Sequence, residues 1–379
     1  METARPSSEQ GSSEPLCGPR RGHAGFCGTR LARTVFPQEA LCMQPDTGEP
    51  GQPGERVIGI DLGGTNVQIG VVEFGDEPGY RVVGREKRKT KPDQGVETVI
   101  ERVAKGVEKA CELAGIKPSQ AAAIGVGAPG VVEPHQGVVL EAVNLRWDEV
   151  PLAERLSERL GTPVYVDNDV NAAVFGEHRL GSGRGASHML GVWVGTGIGG
   201  GLILGGDLYY GHFLTAGEVG HMLAIPYNPA GSRSLEHNCS RSAIVERLVK
   251  LIRSNRKSLL TDLVEDDFSQ IRSGVIAQAY RAGDPLVVEV IEESARLLGT
   301  HLAGIHSLLS LERIVLGGGL VEALGTPYVH IVAEELRRSA FPDKIKGVEV
   351  VASRLEDDAG ILGAAMLARE RLGDPAYSR

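Results

Sequence analysis

Cysteine is scarce in this chain. Cys17, Cys27, Cys42, Cys111 and Cys239 are scattered through 379 residues, and no two are spaced as C-x-x-C. That excludes a disulfide framework and a cysteine metal knuckle, and it fits a reducing cytoplasm. No apolar run is long enough to span a bilayer. The first residues lack the charged-then-apolar pattern of an export signal. Positive charge is not in excess: the formal net charge of −9 argues against nucleic acid and anionic membrane as partners. Two catalytic signatures are missing as well. There is no G-x-x-x-x-G-K-[ST], which excludes a P-loop, and no H-E-x-x-H, which excludes a zincin.

Glycine is plentiful, with 51 residues, and two clusters of it carry most of the information. The first is Gly59-Ile60-Asp61-Leu62-Gly63-Gly64-Thr65-Asn66, and the second is Gly195-Thr196-Gly197-Ile198-Gly199-Gly200-Gly201. Val57, Ile58 and Ile60 lead into the first turn, and Val67, Ile69, Val71 and Val72 follow it. Val192 and Val194 lead into the second, and Leu202 and Ile203 follow. Each reads as strand, tight turn, strand. Glycine lets a turn reach positive φ and lets a phosphate approach backbone N–H groups. Two such hairpins, one per half of the chain, can grip the phosphates of a nucleotide from two sides. The chemistry at such a grip is phosphoryl transfer.

Residues 1–55 are rich in Gly, Pro, Ser and Glu without sustained periodicity, so they are expected to be a disordered tail, or to precede a true start at Met43. Beyond them strands and helices alternate. Spacing predicts a helix over Val96–Ala114 ended by Gly115, a strand over Ala121–Val126, a helix over Pro151–Leu160 and a strand over Val164–Val166. A helix follows over Ser242–Ser254. Asp284-Pro285, an N-cap and a first-turn proline, opens a long helix reaching about Leu309. A strand over Ile314–Leu316 then runs into Gly317-Gly318-Gly319, and a last helix covers Asp358 to about Leu372. The pattern is an α/β fold.

Gly125-Val126-Gly127-Ala128-Pro129-Gly130 matches G-x-G-x-x-G after a strand, but a dinucleotide site needs a helix next. Val131-Val132-Glu133-Pro134 is extended instead, which argues against a nicotinamide cofactor. Val166-Asp167-Asn168-Asp169-Val170-Asn171 crowds four polar residues at a strand end, where one suffices as a helix cap. A carboxylate there can accept a proton from a substrate hydroxyl. Gly217-Glu218-Val219-Gly220-His221, with Glu236 a short loop later, offers side chains suited to paired hydrogen bonds with sugar hydroxyls.

From Val57 to Leu372 these motifs together resemble the ROK sugar kinases (repressor, open reading frame, kinase) of the hexokinase and actin-like ATPase fold. The resemblance rests on Asp61 to Asn66, Gly127 to Gly130, Asn144-Leu145-Arg146-Trp147, Asn168-Asp169-Val170-Asn171, Gly195 to His221, Gly317 to Gly319 and Asp357-Asp358-Ala359-Gly360. It implies a two-lobed, ribonuclease H-like architecture with a cleft between the lobes. The first lobe would be 56–174 with the helix 358–372 packed back on it, and the second 175–357. Matched positions imply Asp169 as general base. Asn168, Asn144, Gly130, Glu218, His221 and Glu236 would hold the sugar. Asp61 would orient magnesium through water. Gly63, Gly64, Thr65, Asn66, Gly195, Thr196 and Gly197 would line the phosphates of ATP, and Gly317, Gly318 and Gly319 would lie against its adenosine.

Two departures stand out. Tyr227, Pro229 and Ser234 occupy positions where family kinases carry zinc-binding cysteines, and His221, His237 and Cys239 make a poor tetrahedral set, so structural zinc is not expected. Gln68 stands where members often carry Lys or Arg, which removes one phosphate partner. The resemblance implies an ATP- and magnesium-dependent hexose kinase, glucose to glucose 6-phosphate, acting as a homodimer. Kinases for fructose or N-acetylated amino sugars, a sugar-responsive repressor and a silent sugar-binding protein are the alternatives. The repressors carry a winged helix-turn-helix, whose periodicity residues 1–55 lack.

Overall fold

The computed structural model describes residues 54–75 and 79–377. The expected tail lies outside them, except that Glu55 already opens the first strand. In chain order the first half runs β1 (Glu55–Leu62), β2 (Asn66–Phe74), β3 (Tyr80–Lys89), α1 (Val96–Leu113) and β4 (Ile124–Ala128). It continues with β5 (Val131–Glu133), β6 (Val138–Ala142), β7 (Trp147–Val150), α2 (Leu152–Leu160), β8 (Val164–Asn168) and α3 (Asp169–Leu180). The second half runs β9 (His188–Val194), β10 (Ile198–Leu204), β11 (Asp207–Leu208), α4 (Glu236–Cys239), α5 (Arg241–Arg253), α6 (Leu260–Leu263) and α7 (Ser273–Arg281). It closes with α8 (Pro285–Leu309), β12 (Arg313–Gly317), α9 (Gly319–Leu324), α10 (Thr326–Ser339), β13 (Glu349–Ala352) and α11 (Ala359–Arg371).

The two halves repeat one plan. The first sheet has the order β3-β2-β1-β4-β8 and the second β11-β10-β9-β12-β13. In each, an antiparallel hairpin meander is joined on its inner edge by two parallel strands. The parallel strands need crossover helices, which α1, α2, α8 and α10 supply. Each half thus starts with one of the two glycine turns, on the hairpins β1–β2 and β9–β10. A small sheet, β5-β6-β7, is inserted after β4.

Strands buried on both faces read as apolar runs, and Val57 to Ile60 on β1 and Leu190 to Val194 on β9 are of this kind. The strand expected from Ala121 begins three residues later, at Ile124, because Ala121–Ala123 form the bend that leads into it. Helices α3 and α11 pack on each other between the sheets, α11 against β1 and β4 and α3 against β10. The close fit of α11 explains the G-x-G-x-x-G match. A Cβ on Gly125 would lie 1.8 Å from the Ala364 carbonyl oxygen of α11. Gly130 has φ +92°, and a Cβ there would lie 2.0 Å from the carbonyl oxygen of Glu141. These glycines serve packing and a turn. The expected lobe boundary at 174/175 falls inside α3. No helix among the described residues is long and apolar enough to cross a membrane.

Candidate active site

The junction of β8 and α3 sorts its four polar residues into separate tasks. Asn168 is the N-cap of α3: its Oδ1 accepts the N–H of Val170 at 2.9 Å and of Asn171 at 3.0 Å. Its Nδ2 donates to the Gly130 carbonyl at 3.0 Å. Asp167 is 2% exposed and pairs with Arg371 of α11, while the Tyr210 hydroxyl donates to it at 2.7 Å. Asn171 donates to Asp167 Oδ1 at 3.3 Å. Among the described residues no side chain hydrogen-bonds the Asp169 carboxyl, which accepts the Val170 N–H at 2.9 Å.

That carboxyl is surrounded by negative charge. Burial, then the charges of Asp61 and Glu218, push Asp169 up to about 7. Asp61 reaches the same place from the end of β1, opposite Gln68 on β2 and Gly127 on β4. Burial raises its carboxyl too, while a hydrogen bond from Gln68 and the charge of Lys87 on β3 pull the other way. Gln68 therefore acts as the cross-strand partner of Asp61. Glu218 arrives on the segment after β11. A Cβ on Gly200 would sit 2.6 Å from the Gly217 carbonyl oxygen, so this segment lies directly on the second hairpin.

The first turn is closed by Gly63 N–H donating to the Asn66 carbonyl at 2.9 Å, and braced by the Thr90 hydroxyl donating to the Gly63 carbonyl at 2.6 Å. Thr65 is exposed on it, and Asn144, also exposed, stands beside Gly64. The second turn is closed by Gly195 N–H donating to the Gly197 carbonyl at 2.9 Å. Thr196 is exposed at its tip. Gly317 lies against the Trp193 ring, and Gly318, with φ +88°, lies against the Val194 backbone; Gly319 opens α9. The third glycine group thus adjoins β9, the strand that leads into the second turn.

The residues expected around the sugar are not gathered equally. Glu236 sends Oε2 to the Ile198 N–H at 2.8 Å, committing one oxygen to the second glycine hairpin. His221 is 75% exposed, with Nε2 3.8 Å from Glu218 Oε2. At the positions of the absent cysteines, Tyr227 is fully exposed, and Ser234 pairs its hydroxyl with His237 Nδ1 at 2.7 Å. Cys239 donates to the Ser294 carbonyl at 3.4 Å, and burial pushes its thiol up to about 12. Among the described residues no three His, Cys, Asp or Glu side chains converge as a metal cage.

Sequence reasoning passed over Arg241, which donates to the Thr196 hydroxyl at 2.7 Å, and the Asp167–Tyr210–Arg371 cluster. Only Asp167 carried a signal, as one of the four crowded polar residues. Tyr210 and Arg371 are brought to it from distant parts of the chain.

The model of the ROK family matches residues 57–371. A glucokinase of Thermotoga maritima is 32% identical over 326 residues, covering 85% of this chain and 99% of the relative. The crystal structure of a ROK family glucokinase from Streptomyces griseus, in complex with glucose and AMPPNP, superposes with a TM-score of 0.72 at 33% identity. It covers 83% of this chain and 99% of that one. A xylose repressor of Caldicellulosiruptor bescii is 28% identical over 327 residues, 85% of this chain and 80% of the repressor. With its doubled β-hairpin sheets and the family match across both, this chain belongs to the ROK family and has the two-lobed, actin-like ATPase fold.

Proposed function

We propose that this chain transfers the γ-phosphoryl group of ATP to a hexose hydroxyl, with glucose as its acceptor and glucose 6-phosphate as product. The observation that carries this reading is the Asp169 carboxyl, without a side-chain hydrogen-bond partner among the described residues and pushed up to about 7 beside Asp61 and Glu218. A base whose pKa lies near the working pH combines availability with driving force. In this reading Asp169 takes the proton of the attacking sugar hydroxyl. The turns Gly63 to Asn66 and Gly195 to Gly197 would line the phosphates, the Gly63 and Gly195 N–H groups closing the turns themselves, and Gly317 to Gly319 flank the adenosine. Asn144, Asn168, Gly130, Glu218, His221 and Glu236 face the sugar.

Magnesium fits the charge of the site. The mutual repulsion of Asp61, Asp169 and Glu218 is what a cation relieves, and magnesium held through waters and phosphates needs only one or two carboxylates. When bound, it would neutralise charge on the phosphates, with Asp61 orienting it. The rest of the catalysis is positioning by this chain's own residues and exclusion of water as a rival acceptor. The glucokinase relatives support the substrate pair, and the homodimer belongs to the same proposal.

The test is a panel of glucose, fructose and N-acetylated amino sugars with ATP and magnesium, read as ADP release. Glucose should give the highest kcat/KM. A higher value for another sugar reassigns the acceptor. Tight sugar binding without ADP release would favour a repressor-type or silent sugar-binding role, a reading kept open by the match to the xylose repressor.

A further inference from the structure

Helix α5 begins at Arg241, behind Ser240, whose Oγ accepts the N–H of Ala243 at 3.2 Å. Arg241 meets the second glycine turn twice. Its backbone N–H donates to the Gly195 carbonyl at 2.9 Å, and its Nη2 donates to the Thr196 hydroxyl at 2.7 Å. From the same short segment Glu236 accepts the Ile198 N–H at 2.8 Å. One carboxylate and one guanidinium therefore wrap a single turn.

The guanidinium is otherwise unspent. No carboxylate among the described residues pairs with it, whereas Arg247 and Arg256, farther along, pair with Glu293 and Glu289. Arginine carries five N–H donors in a planar fork. One bond to a neutral hydroxyl leaves most of them free, and an oxyanion is the partner that matches the rest. The first turn has no equivalent cation from β2, because Gln68 is neutral and hydrogen-bonds Asp61. Glu236 also places a negative charge beside the second turn, which a bound phosphate would meet unless a cation stood next to it.

We infer that Arg241 is the side chain that contacts the terminal phosphates of the nucleoside triphosphate at the Gly195-Thr196-Gly197 turn. This rests on the kinase reading above. The competing account is a purely structural clamp, in which the bond to Thr196 holds the turn and no phosphate is touched.

The two differ in what they do to nucleotides of different length. Calorimetric titration of the full chain with ATP and with AMP, in the presence of magnesium, separates them. Arg241→Ala should weaken ATP by about 10- to 100-fold, as for loss of a charged hydrogen bond, and leave AMP within about twofold. The KM for sugar should not move. Arg241→Lys, which keeps the charge, should retain more ATP affinity than Arg241→Gln, which keeps only hydrogen bonding. Equal losses for ATP and AMP, or equal behaviour of the Lys and Gln variants, would establish the clamp and overturn the inference. Wild-type ATP binding with an unaffected Arg241→Ala sinks this inference alone. A wild-type chain that binds neither nucleotide sinks the kinase reading with it.

Discussion

Asp169 is identified by elimination. Its sequence neighbours make a cap, an ion pair and a bond to that pair, so among the four its carboxyl is the one proposed for chemistry. The crowding was legible in the sequence; the division of labour was not, because it depends on Gly130, Tyr210 and Arg371. Glu236 shows the same limit. Its place after the second turn was legible, but its bond to the Ile198 N–H, which commits one oxygen to the second glycine hairpin, was not. The raised carboxyl of Asp169 gives a prediction with two signs. Between the usual 3.8 and about 7 the folded state holds a proton that the unfolded chain releases, so stability falls as pH rises through that window. Asp169→Asn removes this cost. In nucleotide-free protein its melting temperature should exceed that of wild type by at least ~2 °C at pH 8, and by less at pH 5. The same variant should lose at least ~10²-fold in kcat with sugar binding kept, and wild-type kcat/KM should climb with pH toward about 7. A melting temperature unchanged at both pH values would show that the carboxyl is not strained by its neighbours.

Elements with a strong period or a cap were legible to within a residue or two. Helix α1 ends one residue before Ala114, and α8 runs from Pro285 to Leu309 as its capping pair indicates. The sheet of β5, β6 and β7 was not legible, because its strands are three to five residues long and carry no sustained alternation. The loop between β11 and α4 shows how structure without cysteines is built from local hydrogen bonds. Asn238 Nδ2 donates to the carbonyls of Ser232 at 3.0 Å and Ser234 at 2.7 Å, and Leu235 N–H donates to the Met222 carbonyl at 2.8 Å. The cap of α8 carries more than its own helix. Asp284 is 1% exposed, and its Oδ1 accepts the N–H groups of Leu286 and Val287 at 2.9 and 3.0 Å. Its Oδ2 accepts the Ser258 hydroxyl at 2.7 Å, tying in the segment before α6. Asp284→Ala should therefore cost about 2–4 kcal/mol, more than an exposed cap, because buried donors lose their acceptor. Urea unfolding measures it. A loss under about 1 kcal/mol would mean that the segment before α6 refolds around the alanine without penalty.

At the scale of the whole molecule, the repeat of one sheet plan was legible as two glycine turns, but the seam that joins the halves was not. That seam is α3 on α11, and it closes on a buried cluster contributed by three distant stretches. Arg371, 5% exposed, pairs with Asp167, donates to the Tyr210 hydroxyl at 2.6 Å and lies 4.6 Å from the centre of the Tyr377 ring. Asp167 sits two residues before Asp169, and Tyr210 heads the segment that leads to Glu218. The cluster thus holds Asp169, the proposed base, and Glu218, proposed to face the sugar, in one frame. Removing one partner of a buried pair leaves the other charge unpaired, which is worse than having neither. Arg371→Met should cost about 3–5 kcal/mol in unfolding free energy. The double variant Asp167→Asn with Arg371→Met should recover part of that loss, since no buried charge remains. The effect should reach the site as well: the single variant should raise the KM for sugar, because the Tyr210 segment loses its anchor while Gly195 to Gly197 do not. Denaturation curves for the wild type and the two variants, with sugar and ATP KM values alongside, decide the matter. Equal destabilisation by the single and double variants would show that the cluster acts by packing and that its charges do not hold the halves together.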